Sequence, residues 1–210
     1  LQDSDYNLAT DIICALGQAI GIALDKAILY GLGTKMPLGI VTRLAQDSAP
    51  SDYPSVARPW ENLNGNLITI GSDKHGIEFF KEIVAAGGKA KGKYSAGEKF
   101  WVMNEQTLTN IKIEAMNFNA AGAIVSVMND TMPVAGGNIE VLSDEIIPDG
   151  NIVSGYGDLY LLAERQGSTF AQSSEYRFIE DQTVFKGTAR YDGKPVIAEG
   201  FIAIGIGSAP

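Results

Sequence analysis

The sequence contains very few of the residues that most often build catalytic and metal sites. Its 210 residues include one cysteine, Cys14, and one histidine, His75. A single cysteine excludes an intrachain disulfide and any zinc site built from several cysteines, and it fits a reducing compartment. A Cys14/His75 dyad stays open as a hypothesis, but we expect a buried, inert thiol, because cysteine commonly packs as a small hydrophobe. His75 is expected at the start of a helix.

Positive charge and uninterrupted apolar runs are scarce as well. Lys and Arg number 16 against 25 Asp and Glu, which gives a net charge of −9. This balance disfavours tight nucleic-acid binding, because such affinity comes from neutralising phosphates. The apolar run 12–32 is broken by Gln18, Asp25 and Lys26, so no membrane span is predicted. The chain begins at Leu1 with neither Met nor a signal peptide, which indicates processing or a shortened form.

The glycine-rich stretch YGLGTKMPLG at 30–39 has two interpretations, a phosphate-binding loop or the end of a helix. A phosphate loop requires a glycine pattern that opens a helix, or a Gly-Lys-Ser/Thr ending, and neither is present. This stretch follows a helical pattern, and a helix C-terminus has the wrong dipole sign for an anion. We therefore predict that Gly31 or Gly33 ends a helix and starts a turn.

Two acidic pairs, Asp144/Glu145 and Glu180/Asp181, are the remaining candidates for catalysis. A glycosidase-like or metal site would require them to converge in the fold, and both lie near predicted turns, where a solvated surface is expected. The sequence has no EF-hand loop and no G-x-S-x-G nucleophile motif. No catalytic site, cofactor or metal is predicted. A small hydrolase using His75 or a carboxylate pair is the alternative class.

The order of predicted elements is one long helix, a mixed middle and a β-rich end, which is typical of an α+β fold. The helix is predicted from about residue 5 to residue 30, with cap candidates at Asp3, Ser4 and Asp5. Its apolar residues recur at every fourth position, and small residues including Gly17 and Gly21 form a thin face for close packing. The apolar series is Leu8, Ile12, Leu16, Ile20, Leu24 and Ile28. Residues 42–66 are predicted to be a long excursion.

The middle and the end of the chain give shorter patterns. A helix at Lys74–Ala86 is predicted to turn Ile77, Phe80, Ile83 and Val84 inward, and a second one at Glu105–Met116 has Thr107 as its possible cap. Strands are predicted at Lys99–Asn104, at Gly122–Met128 and in several runs after Asn138, with Asp192-Gly193 as a hairpin turn. The aromatic residues expected to anchor a core or an interface are Trp60, Trp101, Phe178, Phe185 and Phe201.

Three stretches resemble the major capsid proteins of tailed bacteriophages and prophages with the HK97 fold. ALDKAILYGLGTKMPLGI at 23–40 resembles the end of that family's spine helix, with D-x-A-x-x-x-G followed by P-x-G-I. KFWVMNEQTLTNIKIEAM at 99–116 resembles its strand–helix unit. Residues 157–206 are similar to its C-terminal signature, which includes R-x-D-G-K-x-V at Arg190–Val196. These matches occur in order over nearly the whole chain.

The resemblance implies a two-domain shell subunit. Residues 1–40 and 161–195 would form a peripheral domain containing the spine helix and long antiparallel strands. Residues 41–160 and 196–210 would form a mixed α/β axial domain. Relative to the family, the sequence would lack the N-terminal arm and extended loop that precede the spine helix, so this form is not expected to assemble unaided. An encapsulin-like nanocompartment shell, which shares the fold and packages cargo enzymes, is the closest alternative.

The resemblance also implies partners and contact residues. Subunits would assemble into pentamers and hexamers, as an icosahedral capsid that encloses double-stranded DNA without reading its sequence. Assembly would take place in the bacterial host cytoplasm, without a membrane. The loop at 177–181 would lie where neighbouring capsomers meet. The candidate inter-subunit charge partners are Glu175, Arg177, Glu180 and Asp181.

Overall fold

The computed structural model describes residues 8–51, 53–54, 56, 59–118, 124–126 and 131–210. Within them the helices are α1 (Leu8–Tyr30), α2 (Ile40–Leu44), α3 (Gly76–Gly87) and α4 (Glu105–Ala115). The strands are β1 (Leu67–Ile70), β2 (Lys99–Asn104), β3 (Asn117–Phe118), β4 (Ile124–Ser126), β5 (Asn138–Leu142), β6 (Asn151–Tyr156), β7 (Tyr160–Arg177), β8 (Gln182–Pro195) and β9 (Phe201–Ile206). The predicted α+β class is confirmed.

A five-stranded mixed sheet with the order β1-β9-β6-β2-β5 organises most of the buried residues. β9 is parallel to β1 and antiparallel to β6, with Ala203 opposite both Leu67 and Val153. β2 is antiparallel to β6 and parallel to β5. The inner position of β9 explains its nearly continuous apolar sequence FIAIGI, because an inner strand covered on both faces has no solvent side.

Each face of this sheet has its own core. On one face α3 and α4 cover Trp101 and Met103 of β2, together with Ile202 and Ile204 of β9. On the other face α2 and the end of α1 cover the alternate residues of the same strands. That second cluster includes Leu29, Ile40, Val41, Leu44, Val102, Val153, Phe201 and Ala203. The period-2 alternation of side chains therefore divides the apolar residues of each of these strands between the two cores.

β7 and β8 form a separate antiparallel ribbon, and α1 lies along β8. A Cβ added at Gly17 would lie 3.7 Å from Phe170 Cζ, and one at Gly187 would lie 3.4 Å from Ile20 Cδ1. Gly17 thus lies in the predicted close contact, whereas Gly21 has no neighbour within 4 Å of an added Cβ. The every-fourth-residue apolar stripe of α1 is half-buried from Ile12 onward.

The predicted hairpin turn at Asp192-Gly193 is wrong. Both residues lie inside β8, where Asp192 pairs with Ala163 and Gly193 with Leu162. The glycine is required by a close approach, because a Cβ there would lie 2.8 Å from Leu161 O. The actual turn of the ribbon lies at Phe178–Glu180, between β7 and β8.

The rotational phase predicted for α3 is only partly right. Ile83 is buried, but Phe79 is the buried aromatic residue and Phe80 is half-buried. Ile77, predicted to point inward, is 74% exposed, and Val84 is exposed as well. The residues of α3 buried in that core are Phe79, Ile83 and Ala86, with Phe80 packed against it, so the buried face is displaced from the predicted one.

Further predictions concern the caps of two helices, Cys14 and a short strand. The cap of α4 is Asn104, whose Oδ1 accepts a hydrogen bond from Thr107 N at 2.8 Å, while Thr107 Oγ1 accepts one from Gly150 N at 2.9 Å. Thr107 is therefore not the cap. Cys14 is exposed instead of buried, because residues 13–15 of α1 lie at the surface. The cap candidates before Leu8 and the ends of the strand predicted at 122–128 lie outside the described residues.

Candidate subunit-contact surface

The glycine-rich stretch at 31–39 ends α1 and binds it to the ribbon. Gly31 follows the last helical residue, and Gly39 N donates to Gly31 O at 2.8 Å, which closes the loop. Leu38 N then donates a hydrogen bond to Gly193 O at 2.8 Å, and the Tyr160 hydroxyl donates one to Leu38 O at 3.0 Å. The predicted helix end and turn are confirmed. The loop fixes the angle between α1 and the base of the ribbon.

The far end of the ribbon, residues 175–181, is called the hairpin tip. Asp181 adopts a left-handed conformation (φ 51°), and its N–H donates to Phe178 O at 3.2 Å. Asp tolerates this conformation better than most residues. Arg177 Nη1 donates to Glu180 Oε2 and to Gln182 Oε1, both at 3.0 Å. These bonds hold a compact turn with the charged residues at its surface.

The structure brings the four candidate charge partners together at this tip. Arg177 and Glu180 form a half-exposed ion pair, and such pairs contribute about 0–1 kcal/mol to stability. Glu175 and Asp181 have no ion-pair partner within the described part of the chain. The tip therefore carries two uncompensated negative charges, which are available to a cation on another molecule.

Of the three large apolar side chains at the tip, only Phe178 is among the predicted core or interface residues. Tyr176 is 79% exposed, Phe178 is 81% exposed and Ile179 is 98% exposed. Phe178 is thus not a core residue, unlike Trp101 and Phe201, which are fully buried. Large apolar residues grouped in one exposed turn are unusual on a surface that stays in water. The signal in the sequence is the segment EYRFIED at 175–181, in which large apolar residues are interspersed with charged ones.

A second surface lies at the other end of the ribbon, in the groove between α1, the loop at 31–37 and β8. This groove has a volume of about 570 Å³. Its described lining is mostly apolar, with Leu24 and Ala27 from α1 and Met36 and Pro37 from the loop. Lys26 and Lys35 are the charged residues of that lining, and no acidic residue belongs to it.

The candidates for chemistry do not converge. His75 Nδ1 lies 2.9 Å from Glu114 Oε1, and Gly76 N donates to Glu114 Oε2 at 2.6 Å. These bonds lower the pKa of Glu114, the backbone bond from Gly76 most strongly. They join the start of α3 to the end of α4, while Cys14 lies on α1, so no Cys14/His75 pair forms.

The two carboxylate pairs are also apart. Asp144 and Glu145 lie in the turn after β5, whereas Glu180 and Asp181 lie at the hairpin tip. Among the described residues, no group of three or more His, Cys, Asp or Glu side chains is arranged to hold a metal ion.

α1 is the one helix in the described ranges that is long and apolar enough, by length and composition alone, to cross a membrane. Within its 23 residues, an 18-residue segment has a mean hydropathy of 1.8, and 6% of that segment is buried in the protein. One side of the helix nevertheless packs on β8 through Ile20. The absence of a membrane partner stays a prediction.

Comparison with known proteins decides the family. Residues 1–206 match the model of the phage capsid family. The chain belongs to the phage capsid family. This capsid protein is a structural component of the virion capsid and not an enzyme. No match was found among curated proteins.

Solved capsid structures share the fold of this capsid protein. The capsid of an empty GTA particle is 17% identical with a TM-score of 0.65, and the alignment covers 98% of this chain and 68% of that one. The capsid of the native GTA particle is 18% identical with a TM-score of 0.64, and the alignment covers the same fractions of the two chains. The procapsid of satellite phage P4, determined with its size determination protein, is 9% identical with a TM-score of 0.55, covering 97% and 69%. At these identities the similarity shows the fold alone.

Proposed function

We propose that this chain is the major capsid protein of a tailed phage or prophage, with an HK97-type arrangement of its elements. Copies assemble into pentamers and hexamers of an icosahedral shell. The observation that carries the proposal is the exposure of β7, which is solvent-accessible from Leu161 to Arg177 and ends in the apolar hairpin tip.

An isolated two-stranded ribbon is marginally stable in water, and an open strand edge tends to pair with other chains. α1 supports the β8 side of this ribbon. β7 carries further exposed apolar side chains, among them Leu161, Leu162 and Phe170. A surface of this kind fits a protein whose neighbours in an assembly cover it.

The division into a peripheral domain (1–40 and 161–195) and an axial domain (41–160 and 196–210) belongs to the same proposal. It is supported by the separate hydrogen-bonding of the ribbon and of the five-stranded sheet. β9 returns after the ribbon to an inner position of that sheet. The chain would therefore leave the axial domain before β7 and re-enter it after β8.

Glu175, Arg177, Glu180 and Asp181 are proposed to act where subunits meet. Charges at the rim of an interface mainly set which partner binds and how fast, while buried apolar anchors supply affinity. In this arrangement Phe178 and Ile179 supply the apolar area, and the four charged residues fix the orientation.

The shell is proposed to enclose double-stranded DNA without sequence-specific contacts and to assemble in the host cytoplasm. The net charge of −9 supports weak contact with the genome, since a strongly basic inner surface would bind DNA tightly. A container of this kind needs broad subunit contacts and no catalytic pocket.

Sedimentation of the complete gene product tests this function. We expect the wild-type protein to sediment as shells and capsomers, and the double variant Phe178→Ser/Ile179→Ser to lose most of the shell fraction. Ile77→Ser, which removes a comparably exposed apolar side chain on α3, is the matched control and should retain shells. A wild-type protein that stays monomeric at every concentration would contradict the proposal.

A further inference from the structure

We propose that the hairpin tip of one subunit docks into the groove beside α1 of a second copy of the chain. This inference rests on the proposed self-assembly and names the two surfaces that meet. The tip is a projecting apolar surface and the groove is an apolar concavity, and the same chain carries both.

The two surfaces match in their apolar content. The tip presents Phe178 and Ile179, which are almost completely exposed. The groove of about 570 Å³ has Leu24, Met36 and Pro37 in its lining, and this volume lies in the range of pockets that enclose compact ligands. An aromatic or aliphatic side chain inserted into an apolar pocket is the usual anchor of a protein interface.

The charges at the two surfaces are opposite in sign. Glu175 and Asp181 are negative and unpaired within the described residues. Lys26 and Lys35 line the groove, and its described lining contains no acidic side chain. Complementary charges favour this pairing over contact between two tips, which would bring like charges together.

The occupant must be a different copy of the chain. The groove includes Ala189 of β8, and the strand from Asp181 to Ala189 spans roughly 26 Å at about 3.3 Å per residue. β8 is paired with β7 along this length, so the ribbon does not fold back on itself. A tip can therefore reach only the groove of a neighbour.

This contact joins two different surfaces, so it is head-to-tail. Head-to-tail contacts close into rings when the rotation between copies permits, and otherwise they extend into open filaments. Each subunit then both gives a tip and receives one, and the number of tip–groove contacts equals the number of subunits in a closed ring.

Disulfide trapping in the full-length protein tests the docking. In a Cys14→Ser background, Ile179→Cys is combined with Met36→Cys, both at exposed positions. We expect a ladder of covalently linked subunits on a non-reducing gel after assembly, and at least tenfold less product from either single variant. The matched control pairs Ile179→Cys with Ile77→Cys, and it should behave like the single variants.

Charge exchange is the second test and introduces no cysteine. Lys26→Glu and Glu175→Lys should each slow assembly, followed by light scattering, by about tenfold, because rim charges act mainly on association rates. The double variant should recover to within about twofold of the wild type, and circular dichroism confirms that each variant is folded.

The outcomes separate this inference from the proposed function. Shells that form without a pair-specific ladder, or without recovery in the double variant, would overturn tip–groove docking alone. Linked dimers from Ile179→Cys by itself would show that tips meet tips, which also overturns it. A wild-type chain that never self-associates would overturn both proposals.

Discussion

Replacing Gly39 with alanine should strongly destabilise the subunit, although the backbone there suits alanine. Gly39 has φ −70° and ψ 152°, an ordinary extended conformation. An added Cβ would nevertheless lie 2.5 Å from Gly31 N, 2.6 Å from Leu29 O and 2.6 Å from Tyr30 N. All three atoms belong to the backbone, so no side chain can rotate away to make room.

The size of the effect follows from two terms. Forcing an extra carbon into a packed site costs about 1–3 kcal/mol, and separating the two glycines weakens the hydrogen bond from Gly39 N to Gly31 O, which contributes about 1 kcal/mol. The sum is about 3 kcal/mol. With a urea slope near 2 kcal/mol per molar, the unfolding midpoint should fall by about 1.5 M.

Urea unfolding of unassembled subunits measures this shift. Gly21→Ala is the control, because nothing lies within 4 Å of its added Cβ and Gly21 is inside α1. It should raise the free energy of unfolding by about 1 kcal/mol, the difference between the helix propensities of alanine and glycine. A Gly39→Ala midpoint equal to that of the wild type would refute the close approach of residues 29–31 and 39.

Three further substitutions test other parts of the fold. Asn104→Ala removes the α4 cap and the hydrogen bond from Asn104 Nδ2 to Asp149 Oδ1 at 2.5 Å. We therefore expect urea unfolding to show a loss of about 3 kcal/mol in the free energy of unfolding. The control Gln106→Ala, at an exposed position, should cost no more than about 0.5 kcal/mol. The lowered pKa of Glu114 stabilises the fold above the unfolded value near 4.5, and this contribution disappears as the pH falls through the folded pKa. Glu114→Gln should therefore flatten the thermal stability profile in that acid range, and an unchanged profile would contradict the assigned bonds. Burial raises the pKa of Tyr160 to about 12, so its contribution is full below pH 10 and is lost as the pH rises from 10 to about 12. Tyr160→Phe should remove that loss of stability at alkaline pH. A stability profile between pH 10 and 12 identical to that of the wild type would contradict the raised pKa of Tyr160.

Local patterns predicted the elements whose signals are repeated or strongly punctuated. The apolar series from Ile12 to Ile28 marked α1, and Gly31 marked its end. The apolar run FIAIGI at 201–206 marked a strand. Each of these signals depends on residues close together in the chain, so the sequence alone was sufficient.

The errors came from contacts between distant segments. Asp192-Gly193 has the local signature of a turn, but the contacts of Gly193 with Leu161 and Leu38 place it within a strand. The inward face of α3 depends on which residues meet the sheet, and Ile77 lies beyond its reach. Periodicity gives the apolar residues but not the position of the partner that covers them.

The candidate surface was predicted in part. The charged residues of the hairpin tip came from a family resemblance, and Phe178 is among the aromatic residues expected to anchor a core or an interface. Tyr176 and Ile179 are not among the predicted contact residues. Only the ribbon geometry shows that these side chains project into solvent. The groove, built from α1, a loop and β8, had no sequence signal.

Negative-stain electron microscopy of the complete gene product tests whether this protein builds a shell. We expect closed shells of uniform diameter, in which each subunit contributes its ribbon to contacts between neighbours. Compact particles of a single subunit, at every protein concentration and salt condition, would contradict this expectation.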